Sequence, residues 1–359
     1  MSRSRSASVL AERLAAQLLS GPPAGEVVDV VRRLLAVQAQ DPRGARLAIR
    51  ARSSGLSVAD VDRALTADRT VVVTTVNRGT LHLIRSDDYW WLHPLTTPQL
   101  MTACARRLAD QQVSPDDADR AVAIIERSLA ADGPLTRDQL RERVAAADIR
   151  VEDMALVHIL LLASLRGLVV RGPMVGSGHA YVLVRDWLGK PPAALSREVA
   201  LGELARRYLA GHGPAPDRDL AKWAGITLTD ARRGLTAIAA QLVERDDGLA
   251  AVADRSGRAE LPPPRLLGAF DPALCGWSSR EPIVGRHQGI ITSNGLFRPF
   301  AMVRGRAVAT WRLANGEVAL EPLEELSRTN SAALRAEAAQ VLDFLHVNNT
   351  EGAQRGRSK

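Results

Sequence analysis

The chain has 359 residues, 46% hydrophobic and 24% charged, with 47 Lys and Arg against 40 Asp and Glu, a net charge of +7. That length implies two to three domains, and the composition is that of a soluble globular protein. The longest apolar stretch, Met154 to Leu165, is too short to span a bilayer, which excludes a membrane-spanning helix. The basic residues are arginines except for Lys190, Lys222 and Lys359. Arginine grips phosphate with a planar fork, so this bias suits a nucleic-acid partner. A GC-rich genome also raises arginine, but leaves the positive balance unexplained. Cys104 and Cys275 are the only cysteines, and the seven histidines show no ligand spacing. Neither a disulfide framework nor a metal site is expected, and a reducing, cytoplasmic compartment is.

In chain order, the polar Ser2–Ser6 segment reads as a disordered lead-in to a helix over about 7–19. Helices over 26–38 and 58–66 follow. Val27, Val31, Leu34 and Gln38 keep helical spacing, which puts Gln38 on the core-facing stripe. A buried amide needs partners, so Gln38 and Gln40 beside a helix end point either to a tied-down terminus or to a polar pocket. Thr70–Val76 is β-branched throughout and reads as a strand, Asn77-Arg78-Gly79 as a turn, and Thr80–Ile84 as the return strand. Helices followed by a hairpin are the plan of a winged helix.

An internal echo repeats that plan. Asp132-Gly133-Pro134-Leu135 resembles His212-Gly213-Pro214-Ala215, each stopping one helix and opening the next. After the first copy come a helix over 153–165, a strand at Leu168–Arg171, a glycine-rich tip and a return strand at His179–Val184. After the second come a helix over 228–242 and Leu249–Val252. Beyond Pro262-Pro263-Pro264 the pattern turns β-rich. A hairpin is expected over 289–300, a second turn at Arg304-Gly305-Arg306, and a closing helix over 331–345, before a mobile tail from Asn348. The expected fold class is mainly α with β-hairpins (α+β). It comprises winged-helix units over 1–110, 111–192 and 193–262, a small β-rich domain over 263–347, and a flexible tail over 348–359.

Several blocks together resemble one family, the winged-helix DNA-binding proteins typified by the AlkZ DNA glycosylases. They are Gln38-Ala39-Gln40-Asp41-Pro42, Arg78-Gly79-Thr80-Leu81-His82-Leu83, Asp87-Asp88-Tyr89-Trp90-Trp91-Leu92, Gly213-Pro214, Asp219–Gly225, Phe270-Asp271-Pro272 and Gly305–Trp311. The resemblance implies three winged-helix units plus a β-rich domain forming a concave basic surface for duplex DNA. It implies that Gln38 and Gln40, which match a Gln-x-Gln motif, are catalytic. A related branch carries Gln-x-Asp. This chain has Gln at the second position, which points to the branch that removes bulky N7-alkylguanines or unhooks interstrand crosslinks, often in self-resistance of producers of DNA-alkylating natural products. The implied activity is that of a monofunctional glycosylase without cofactor. The partner is double-stranded DNA carrying alkylated purines, and the protein is expected to be a monomer off the membrane.

Two amides on one regular helix, two residues apart, would point to nearly opposite sides, so convergence requires the helix to loosen near Gln40. Pro42 disfavours helical geometry at Asp41, which favours that. Asp41 either caps the next helix or acts electrostatically. Arg46, Arg50, Arg52, Arg78, Thr80 and Arg171 are candidate DNA contacts, as are Arg286 and His287 before the C-terminal hairpin; for each the alternative is an ordinary solvated position. His82 either lines a cleft or hydrogen-bonds in the interior. Trp90, Trp91, Trp223 and Trp311 read as core. The competing functional reading is a non-catalytic winged-helix transcriptional regulator that reads sequence through a recognition helix.

Overall fold

The computed structural model describes residues 3–176, 178–253, 259–292 and 295–346. The chain divides into two compact bodies, Met1–Val61 with Leu201–Lys359, and Asp62–Ala200. The first hairpin therefore falls in a different body from most of the helices that precede it. The expected tail from Asn348 lies outside the described residues, and no helix among those described is long and apolar enough to cross a membrane.

The first body opens with α1 (Arg3–Ala16), so the expected disordered lead-in is helical from Arg3 onward. Then come α2 (Val27–Leu34), the two-residue strand β1 (Val37–Gln38), α3 (Pro42–Arg50) and α4 (Val58–Thr66), within which the division falls. Helix α3 is an element that sequence periodicity did not separate from its surroundings. It starts where it does because Asp41 caps it, accepting from Arg43 N at 3.0 Å, and Pro42 occupies its first turn.

The second body contains strands β2 (Val71–Val76) and β3 (Thr80–Arg85), helices α5 (Tyr89–Thr96), α6 (Met101–Asp110), α7 (Pro115–Asp132), α8 (Arg137–Ala145) and α9 (Ala155–Leu165), strands β4 (Val169–Val175) and β5 (Gly178–Leu183), and the short helix α10 (Val184–Trp187). The two hairpins join edge to edge in the order β3-β2-β4-β5, antiparallel throughout, with Val73 opposite Arg171. Beneath them α6, α7, α8 and α9 bury one apolar cluster that includes Ile125, Leu140, Leu156 and Ile159. Each such side chain contributes about 1.5–3 kcal/mol by leaving water.

The chain then returns to the first body through α11 (Arg197–His212), α12 (Asp217–Ala224) and α13 (Leu228–Ala237). The internal echo has a structural counterpart. Leu135 forms an isolated antiparallel bridge to Tyr181, and Ala215 forms one to Ala250. In the second copy the Leu249–Val252 segment that follows the helix forms only that bridge and one between Leu242 and Val252. The β-rich segment is a four-stranded antiparallel sheet, β6 (Arg265–Leu267), β7 (Phe300–Val303), β8 (Arg306–Ala314) and β9 (Glu317–Pro322), with short helices α14 (Pro272–Cys275) and α15 (Glu281–Val284), and α16 (Arg328–His346) closing it. The hairpin expected over 289–300 is reduced, among the described residues, to a single bridge between Ile291 and Phe297. Pro299 has no amide hydrogen to extend a ladder there.

Candidate active site

The expected helix over 26–38 stops four residues early. Leu35 takes φ 64° and ψ −49°, and the Ala36 N–H donates to Leu34 O at 2.8 Å. This is a γ-turn with positive φ, a conformation that costs a non-glycine residue on the order of 1–3 kcal/mol. Leu35 is fully buried, and its burial offsets a strain of that size. The chain leaves the turn extended, so Gln38 sits on β1 and its placement on a helical stripe is corrected. The strand ends at Gln38 and the chain bends at Gln40, so the two amides leave a non-helical segment and the opposition that a regular helix would impose on them does not arise. Gln38 is 8% exposed and Gln40 is exposed, and neither side chain is hydrogen-bonded to another described residue. Asp41 spends one carboxylate oxygen on the cap of α3.

Three contacts hold this loop from below. Gly44 on α3 meets the 268–270 segment backbone to backbone: a Cβ on Gly44 would lie 2.4 Å from Ala269 O, and one on Gly268 would lie 2.9 Å from the Gly44 Cα. Arg52 carries no exposed surface and pairs bidentately with Asp271, at 2.8 and 2.9 Å, while also donating to Ala48 O and Gln17 Oε1. Asp271 in turn caps α14 through Ala273 N at 2.8 Å, and Gln17 Nε2 donates to Pro272 O at 2.9 Å. Arg50 pairs with Glu337 on α16, which also accepts from Leu266 N at 3.2 Å. Arg50 and Arg52 are thus corrected from candidate phosphate ligands to internal ties. Their carboxylate partners, Asp271 and Glu337, came without a signal beyond the Asp-Pro of Phe270-Asp271-Pro272, which reads as a cap. Arg46 is largely buried at the base of the loop and donates to Pro42 O at 3.0 Å.

On the β2–β3 hairpin of the second body, Arg78 is exposed in the turn and Thr80 is half-buried, with its hydroxyl enclosed. His82 is 3% exposed and faces Thr74 directly across the strands. Its Nδ1 donates to Thr80 O at 2.9 Å, which makes Nε2 the bare acceptor. Burial first, then the neighbouring Arg78 charge, press the imidazole down to about 3, so His82 is neutral at pH 7. The interior alternative is the one realised for His82. His93, buried on α5 and bonded to Ser164 O, is lowered by burial as well.

This has a consequence for stability. Both folded-state values are depressed, so the unfolded chain binds protons at these sites where the folded protein does not. The stability they contribute is complete above pH 6.5, the ordinary value, and is lost as pH falls below it, for His82 down toward pH 3. Urea denaturation between pH 7 and 4.5 should show an acid-side loss whose His82 share approaches about 1.4 kcal/mol per pH unit. The H82N variant should lack that share; an identical slope would contradict the assignment.

The remaining candidates are dispersed. Arg171 lies over the Tyr181 ring at 3.8 Å across the second hairpin, a packed cation–π pair. Arg286 is exposed near Glu324, at 3.8 Å, and His287 Nε2 lies 3.4 Å from the same carboxylate. Trp223 and Trp311 are core, the latter donating to Leu267 O at 2.9 Å, and Trp90 and Trp91 are half-buried.

The family model of AlkZ-like DNA glycosylases matches residues 31–344. A protein of Streptomyces sahachiroi described as an interstrand DNA cross-link repair glycosylase is 28% identical over 366 residues, covering 93% of this chain and 94% of its own. The solved structure of the Streptomyces sahachiroi DNA glycosylase AlkZ superposes with a TM-score of 0.73 at 24% identity, over 93% of this chain and 95% of that one, and carries the same fold. A match that runs from the second helix through the closing one places the whole α+β architecture, including the Gln38–Asp41 loop, within a single family: the chain belongs to the AlkZ-like DNA glycosylases.

Proposed function

We propose that the protein hydrolyses the N-glycosidic bond of cationic N7-alkylguanines in duplex DNA, including bulky adducts and interstrand crosslinks, with Gln38 and Gln40 positioning the attacking water. The observation that carries this reading is the amide of Gln38, 8% exposed and without a hydrogen bond to another described residue, two residues from the exposed amide of Gln40. Such an amide costs stability unless something hydrogen-bonds it, and water is the partner at hand.

Most enzymes that break a bond between sugar and base use a carboxylate to activate water or to stabilise the oxocarbenium-like transition state. An N7-alkylguanine is already positively charged and leaves as a neutral base, so much of the activation resides in the substrate. An amide carbonyl accepts a hydrogen bond from water and orients it without being basic enough to take the proton. Orientation alone supplies on the order of 7–11 kcal/mol in well-oriented model reactions. A neutral pair would leave unmodified, uncharged bases intact. The name of the Streptomyces sahachiroi relative supports crosslinks as substrates. Arg46, Arg78, Arg171, Arg286 and His287 remain proposed DNA contacts. The proposal includes action as a monomer, without cofactor, in the cytoplasm, and self-resistance to a DNA-alkylating product as the role.

The test is release of free modified base from duplexes bearing N7-methylguanine, a bulky intercalated N7 adduct or an N7 interstrand crosslink. Release from the bulky or crosslinked substrates is expected. No release from any of them, with a sharp sequence-specific footprint on undamaged DNA, would instead mark a regulator.

A further inference from the structure

The stripe Val27, Val31, Leu34 and Gln38 favours a helix that runs past Leu34, and the hydrogen bonds of such an extension can be named. The Ala36 N–H would donate to Arg32 O, and the Val37 N–H to Arg33 O. Both carbonyls meet α11 instead. Arg32 O accepts from Arg207 Nη2 at 2.9 Å, across 175 residues of sequence. Arg33 O lies against the backbone of Gly211, where a Cβ would come within 2.3 Å of it and 3.2 Å of the Leu34 Cα. Arg33 makes a contact in return, its Nη1 donating to Ala210 O at 3.3 Å. The end of α2 is thus fixed against the end of α11, within the first body.

Arg207 is 7% exposed, so its charge is not spent on solvent. Glu203, one turn earlier on α11, lies 3.5 Å from Arg207 Nη1 but makes its shorter bonds to Arg206, at 2.7 and 2.9 Å. The other terminal nitrogen of Arg207 meets the last turn of α2, where a cation suits the unsatisfied carbonyls of a helix C-terminus. With Arg32 O taken, the Ala36 N–H turns to Leu34 O at 2.8 Å, Leu35 adopts positive φ, and Val37 and Gln38 follow as a strand. A side chain at position 211 would press on the Arg33 carbonyl, so Gly211 belongs to the same arrangement.

We propose that Arg207 is a positioning residue for base excision: by occupying Arg32 O it ends α2 at Leu34 and sets Gln38 on the short strand from which its amide orients the attacking water. The arginine acts through the course of the main chain, not on the substrate. This rests on the role proposed above for Gln38, so the test pairs the two residues.

In the full chain, R207M keeps an apolar stem and removes the donors. It should lower single-turnover release of modified base from an N7-alkylguanine duplex by about 10–100-fold, the scale on which a misplacement of about 1 Å slows a reaction. Duplex affinity should stay within about twofold, so the loss falls on the chemical step. R207K, which returns a donor to Arg32 O, should recover most of the rate. R207Q keeps a polar group but is two atoms shorter, and it should behave as R207M does; it carries the comparison if R207M melts below the assay temperature. The deciding readout is the pairing with Q38A. An arginine that works through Gln38 adds little loss once that amide is gone, so R207M/Q38A should match Q38A within about threefold. Losses that multiply, a loss confined to affinity, or a lysine variant as slow as the methionine one would each overturn the positioning role. If Q38A itself excises at full rate, the reading of Gln38 and this inference fall together; if Q38A is slow and R207M and R207Q are not, only the inference falls.

Discussion

Replacing Gln38 with alanine should lower base excision from an N7-alkylguanine duplex by about 10²–10³-fold, the range found when one positioned polar group is removed from a reaction centre. The loss should fall on kcat. Gln38 lies in a two-residue strand and its side chain has no hydrogen bond to another described residue, so truncation breaks no side-chain tie and leaves the fold intact. Duplex affinity should stay within about twofold, because the phosphate contacts proposed here lie elsewhere. Gln40, exposed and two residues on, should show a loss of the same kind from alanine. The measurement is single-turnover release of modified base, alongside duplex affinity and a thermal melt. Full excision by both folded variants would remove the water-positioning mechanism, and a loss confined to affinity would make the glutamines binding groups.

The second large effect concerns stability. Breaking the Arg52–Asp271 pair with D271N should cost about 3–5 kcal/mol, since it leaves an unpaired guanidinium with no route to water. Part of that cost is the cap of α14, which the same carboxylate supplies. R52M should cost a similar amount by stranding the carboxylate. The double variant R52M/D271L should recover most of the loss, because apolar side chains of similar volume often replace a buried pair at little net cost. Urea denaturation of the four proteins gives the cycle; additive losses would show that the pair is not the unit of stability. Because this pair ties the 268–271 segment to the end of α3, the single variants should also lose excision beyond their loss of folded protein.

Local chemistry made much of the architecture legible in the amino-acid sequence. The β-branched run from Val71 to Val76, the Asn77-Arg78-Gly79 turn and the return strand from Thr80 require only near neighbours, and they appear with boundaries shifted by a residue. The Gly-Pro echo likewise marks two helix starts that share a bridge register. The Gln-x-Gln motif was visible as a pair of amides where an apolar helix should end. Three things were not legible. Leu35 has no local reason to adopt positive φ; it is held there by burial, and that strain turns the chain from helix to strand and moves Gln38 off the helical stripe. Arg50 and Arg52 resemble any arginines on a solvated helix face until α16 and the 270–272 segment bring Glu337 and Asp271 to them across more than two hundred residues. Helices α9 and α13 occupy equivalent places in the repeat, yet only packing decides that one has no exposed residue and the other presents arginines to solvent. The sequence by itself thus determined the elements and the identity of the chemical groups, because propensity, turns and caps act over a few residues. The tertiary structure decided which of those groups are ties and which remain available, because burial and ion pairing depend on chain segments far apart in sequence.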